Sequence, residues 1–130
     1  MTREEKQLLL RDLSARLPYN VVIRCTDNDT DYKCFLTTDI LNELLHEIEY
    51  YDYKPYLRPM SSMTDEEREE FRFVGGIMPY NPQKDSWAIA ALTPEGYDWL
   101  NAHHFDYRDL IPKGLALEAL KGMYNSTNNV

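Results

Sequence analysis

Val21-Val22-Ile23-Arg24-Cys25, then Thr26-Asp27-Asn28-Asp29-Thr30-Asp31, then Tyr32-Lys33-Cys34-Phe35-Leu36-Thr37 is the stretch that decides the class of fold. A β-branched run, a cluster of turn-forming polar residues and a second run with strand character read as strand, turn and return strand. The first strand is expected to end near Cys25, the second to run from Tyr32 to Thr37, with the turn centred on Asp29 and Thr30. That centring would set the sulfurs of Cys25 and Cys34 face to face across neighbouring strands. Upstream, Thr2 and Glu5 form a capping box, and Leu9, Leu10, Leu13 and Leu17 recur at helical spacing, so a helix is predicted over Arg3–Arg16 and ended by Pro18. Downstream, Ile40, Leu41, Leu44, Leu45 and Ile48 fit a helix capped by Thr38 or Asp39 and lasting to about Glu47, followed by an extended segment to Leu57. Pro55 and Pro59 are expected to hold that segment outside any central ladder position.

Thr64 and Glu67 form a second capping box, with acids filling the first turn of a helix that should last to about Phe73 and turn Phe71 and Val74 inward. Gly75-Gly76 ends it, and an irregular stretch runs to Asp85. Ser86 to Leu92 reads as a buried strand. Thr93 and Pro94 start a helix whose inner side carries Tyr97, Leu100 and one of His103 and His104. A further turn from Asp106 is halted by Pro112 and Gly114, and Leu115 to Leu117 is expected to dock as an edge strand. Helices and strands interleave without regular alternation, which predicts an α+β fold with a short, mostly antiparallel sheet and three or four helices. Residues 1–124 form one domain in this reading, and 125–130 a flexible tail.

The chain has 130 residues, 43% apolar and 28% charged, the balance of an ordinary globular protein that folds without a metal or disulfide staple. No apolar run approaches the roughly 18 to 20 residues of a membrane span, and the N-terminus lacks a secretory pattern, so the cytoplasm is the expected compartment. In that reducing setting Cys25 and Cys34 are expected as two thiols packed like small hydrophobes. The formal charge is −8, from 22 acidic and 14 basic residues, with the excess mainly between Asp27 and Glu70. Such a surface repels phosphate backbones and favours a basic partner. An alternative is an acidic imitation of nucleic acid that blocks a DNA-binding protein.

His103, His104 and Asp106 are the one group in which residue types suited to catalysis or metal binding lie close together. Neighbouring residues on a helix point about 100 degrees apart, so the imidazoles are expected to separate, one packed on Trp99 and one at the helix C-terminus, where positive charge is favourable. A small hydrolase or metal-assisted site here, with His46 as a further imidazole, is the enzyme alternative. Gly75-Gly76 lacks the spacing of a phosphate loop, and Ser61, Ser62 and Ser86 lack the glycine-flanked setting of a nucleophile elbow. No cofactor or metal is expected. The compositional oddity is ten tyrosines, of which Tyr50, Tyr51, Tyr53 and Tyr56 fall within seven residues. Tyrosine suits interfaces, and on an extended segment Tyr51 and Tyr53 share one face while Tyr50 and Tyr56 share the other. With Arg58, Met60 and Met63 they form the expected contact surface for a protein partner, where alanine at Tyr51 and Tyr53 should weaken capture without lowering stability.

Three stretches carry a resemblance: Leu9 to Tyr19 (LLRDLSARLPY), Lys54 to Thr64 (KPYLRPMSSMT) and Asp98 to Arg108 (DWLNAHHFDYR), together with the tail Lys113 to Ala119. Over nearly the whole chain they resemble an uncharacterised family of small proteins encoded in phage-like and mobile regions of anaerobic gut bacteria. The resemblance implies an accessory role and transfers no activity, ligand or site residue. It also implies glycine after Tyr107-Arg108, where this chain has Asp109, so a tight glycine turn is not expected there. The combined expectation is a cytoplasmic, non-catalytic interaction module.

Overall fold

The computed structural model describes residues 1–28, 30–46, 52–74, 80, 81, 86, 87 and 93–124. Helix α1 spans Arg3–Arg16, as its leucine spacing and capping box require: Thr2 Oγ1 accepts from the Glu5 N–H at 3.1 Å, and the Glu5 carboxylate accepts from the Thr2 N–H at 2.8 Å. These two bonds satisfy donors that the helix leaves open. A 3-10 turn over Leu17–Tyr19 follows, and Asn20 reverses the chain at φ 56°.

Strands β1 (Val22–Asp27) and β2 (Thr30–Phe35) form the expected hairpin, with a turn one residue earlier than the sequence suggested. Asp27 pairs with Thr30, and Asn28 enters the left-handed region at φ 54°. Asparagine accepts that backbone more readily than threonine, so Asn28 takes the turn in place of Thr30. Helix α2 (Thr38–Leu45) is capped by Thr37, not by Thr38 or Asp39, and ends short of Glu47. Strand β3 (Asp52–Leu57) then runs antiparallel to β1, and β6 (Leu117–Glu118) adds to it in parallel, giving the order β2-β1-β3-β6. Pro55 therefore does occupy an interior strand, paired with Ile23. It is tolerated because β6 meets β3 only at Tyr56 and Leu57, so Pro55 faces a ladder on the β1 side alone.

Helix α3 (Asp65–Phe73) carries the second capping box, and α4 (Pro94–Ala102) begins at Thr93-Pro94. Between them β4 (Tyr80–Asn81), inside the stretch expected to be irregular, pairs with β5 (Ser86–Trp87) at the start of the expected strand; Ala88 to Leu92, Gly75-Gly76 and 125–130 lie outside the described residues. The inner stripe of α4 is Gly96, Trp99 and Leu100, whereas Tyr97 is 39% exposed and lies against Tyr107. The fold is thus α+β, a single small domain with four α-helices and a mostly antiparallel four-stranded sheet among the described residues. Asp109 stands at φ 57°, so the turn is tight after all, held by a residue whose short polar side chain tolerates the left-handed region.

Two apolar clusters fill the interior. One joins α1, the sheet, α2 and the C-terminal segment through Leu9, Leu13, Ile23, Tyr53 and Leu110; the other joins α3 and α4 through Met63, Phe71, Trp99, Leu100 and Phe105. A buried ion pair connects them. Arg16 and Asp12, both 0% exposed, form two bonds at 2.7 and 3.0 Å, and Arg16 Nη2 also donates to the Phe105 carbonyl at 2.7 Å. Arg108 adds a second cation on Asp12 at 2.9 Å. Removing one partner of such a pair leaves an uncompensated buried charge. Asp12→Ala is accordingly expected to cost about 3–5 kcal/mol in urea unfolding, and the double variant Asp12→Leu/Arg16→Met should recover much of that loss. Equal midpoints for wild type and Asp12→Ala would refute the assignment.

Candidate functional site

The C-terminus of α4 shapes the site. The Phe105 N–H donates to the Leu100 carbonyl at 3.0 Å and the His104 N–H to the Asn101 carbonyl at 3.1 Å, a Schellman closure that places His104 in the left-handed position usually given to glycine, at φ 66°. The imidazole offsets that backbone cost by stacking on Tyr124, with ring centroids 3.7 Å apart. Tyr124 is itself held at both ends of its hydroxyl, accepting from the Val22 N–H at 2.7 Å and donating to the Tyr56 carbonyl at 2.8 Å.

His103 caps α4 and stacks on Trp99 at 4.1 Å, the packing anticipated for one of the two imidazoles. Its Nε2 lies 3.7 Å from Glu70 and its Nδ1 3.9 Å from Glu67, beyond hydrogen-bond distance. Burial lowers its pKa against the pull of those two carboxylates. Burial, then the Arg16, His103 and Arg58 charges, push His104 down to about 3. Both rings favour the neutral form, which corrects the expectation of a favourable positive charge at this helix end.

Asp106 does not join them. Its two carboxylate oxygens accept from the Leu110 and Ile111 N–H groups at 2.8 and 2.9 Å, capping the turn that follows. Burial raises its pKa despite those bonds. Among the described residues no set of three or more His, Cys, Asp and Glu side chains is placed to hold a metal ion.

The tyrosine segment also differs from its expected role. Tyr53 (6% exposed), Tyr56 (8%) and Met63 (3%) belong to the interior, and Met60 packs against the second cluster. Tyr53 donates to Glu43, and burial first, then Glu43, raises its pKa. Tyrosine at alternate strand positions reads equally as interface or core; here Tyr53 packs in the first cluster and Tyr56 is buried as well, so neither offers a contact surface. Alanine at Tyr53 therefore removes core volume, contrary to the expected neutral effect on stability. Tyr50 and Tyr51 lie outside the described residues. Arg58 is committed to structure: it makes two bonds to Glu67 at 2.7 and 2.8 Å and lies 4.1 Å over the Phe105 ring. Burial opposes the Glu67 charge, but the Arg58 bonds and the Thr64 backbone N–H outweigh it and hold the carboxyl below its usual range.

His103, His104 and Glu67 line a cleft of about 920 Å³ between α3 and the start of the hairpin. One wall carries Glu66 and Glu70, both exposed; the other carries Phe35, 60% exposed on the edge strand β2, with Tyr19 and Tyr124. Sequence reasoning did not single out these residues. The available signal was the spacing of Glu66 and Glu70, four apart on one helix face, but nothing local relates them to Phe35.

The buried imidazoles determine how acid acts on the fold. Unfolded histidine gains a proton near pH 6.5, whereas folded His104 resists protonation until about pH 3, so its contribution is complete above 6.5 and declines as pH falls through that window. His103 acts in the same direction, and the raised Asp106 carboxyl opposes it. Wild-type urea midpoints are therefore expected to fall between pH 7 and 5 more steeply than those of His104→Asn, which keeps a residue suited to the left-handed backbone. Parallel slopes would contradict this, as would an NMR titration placing His104 near 6.5. Comparison of the chain with models of protein families, with curated proteins and with solved structures finds no match.

Proposed function

We propose that this protein is a cytoplasmic, non-catalytic interaction module whose cleft between α3 and the hairpin captures a basic segment of a partner protein. The carrying observation is the pairing of exposed carboxylates, Glu66 and Glu70, with the exposed Phe35 ring around one opening. Such a wall pair suits a chain with alternating cationic and apolar side chains, and the free outer edge of β2, at the end of the strand order among the described residues, offers backbone groups to an added strand. The net charge of −8 steers basic partners toward it. The groups that would perform hydrolysis are otherwise engaged: Asp106 caps a turn, Glu67 holds Arg58, and the imidazoles stack on Trp99 and Tyr124. Membership of a phage or mobile-element accessory set is supported by the motif resemblance alone. Among the described residues no helix is long and apolar enough to cross a membrane.

Fluorescence anisotropy with a labelled peptide of alternating lysine and leucine tests this reading. Glu66→Gln/Glu70→Gln and, separately, Phe35→Ala should each weaken binding roughly fivefold or more, and added salt should weaken it further. Glu4→Gln/Asp39→Asn removes the same charge away from the cleft and should leave affinity within about twofold. Equal losses for the two double variants would mean that net charge alone attracts the peptide, and the cleft reading would fail.

A further inference from the structure

Cys25 in β1 and Cys34 in β2 are the chain's two cysteines. The register pairs Cys25 with Tyr32 and Ile23 with Cys34, so the cysteines are diagonal neighbours on one face of the hairpin. Both are free thiols, yet their sulfurs lie 2.7 Å apart. A small side-chain rotation would close that separation to the roughly 2.04 Å of a covalent bond. Their surroundings differ. Cys25 is 1% exposed and packs in the first core cluster, while Cys34 is partly exposed on the edge strand. Burial, then the neighbouring Cys34 thiol, pushes the Cys25 pKa up to about 12, with Tyr32 and Glu43 as further neighbours.

We propose that Cys25 and Cys34 form a modification site for low-mass disulfides of the oxidised glutathione type, with Cys34 as the attacking thiol and Cys25 as the resolving one. Only Cys34 reaches solvent, so the exchange starts there. Its sulfur, having lost its proton to solvent, attacks one sulfur of the small disulfide. A mixed disulfide forms on Cys34, the S–S bond of the reagent breaks, and one small thiolate departs and takes up a proton. Cys25 then attacks the Cys34 sulfur, its proton leaving with the second small thiol. In sum, the two protein thiols are oxidised to one disulfide and the reagent is reduced to two thiols. Proximity compensates for the poor acidity of Cys25, since the mixed disulfide is created within contact of it. The product staples β1 to β2 beside the turn; a small thiol in excess reverses it.

The test uses the full reduced chain incubated with oxidised glutathione without oxygen. Intact mass should show the loss of two hydrogens with no glutathione retained, and peptide mapping should link Cys25 to Cys34 within one chain. Cys25→Ala should retain glutathione on Cys34 as a stable adduct, because the resolving thiol is gone; Cys34→Ala should leave Cys25 unmodified while folded. The proposal is overturned if the wild type keeps a glutathione adduct, links two chains, or leaves both thiols open to alkylation. The wild-type mass and map decide the matter even where a variant fails to fold.

Discussion

The Arg16–Asp12 ion pair, withdrawn from water in the centre of the molecule, is the constraint on which the arrangement depends. A guanidinium in that position needs acceptors: its Nε and Nη2 find them in the carboxylate one turn back and in the Phe105 carbonyl, 89 residues away in sequence, while Nη1 has no partner among the described residues. Helix α1 is thereby joined to the segment that leaves α4, and the two apolar clusters are set against each other. Arg58 holds the same segment from the opposite side. Its N–H donates to the His104 carbonyl at 2.7 Å, its carbonyl accepts from the Asp106 N–H at 2.8 Å, and its side chain covers Phe105 while reaching Glu67. Two arginines thus fix the backbone on either side of one phenylalanine.

That fixation explains why the histidine pair is a packing device. Residues 104–106 are tied to Arg58 and Arg16, His103 stacks on Trp99 and His104 on Tyr124, and burial disfavours an added proton on both rings. Neutral rings stacked on aromatic partners form a firm floor for the cleft. The exposed carboxylates of α3 and the ring of Phe35 stand above that floor, and this division between a neutral base and a charged, partly apolar rim is the physical basis for reading the cleft as a recognition surface.

The helices were legible because their determinants are local. Thr2 with Glu5 and Thr64 with Glu67 satisfy backbone donors within one turn, and Thr93-Pro94 starts α4 by the same short-range logic. The hairpin was legible apart from a one-residue displacement, which depended on the preference of Asn28 for a left-handed backbone. A further signal in the first helix went unused: Leu9, Asp12, Leu13 and Arg16 share one helix face, and two charges four apart on an apolar stripe mark a pair carried into the interior.

By itself, then, the sequence determined the class of fold, the starts of α1, α3 and α4, the hairpin and the acidic character, since each arises from residues within a few positions of one another. Tertiary structure alone decided that Tyr53, Tyr56 and Met63 face inward, that Arg58 and Glu67 serve each other, and that Glu66, Glu70 and Phe35 meet around one opening. An alternating tyrosine pattern specifies two faces of a strand but not what covers them. That is settled by packing against segments far away in the chain, whose approach leaves no local mark.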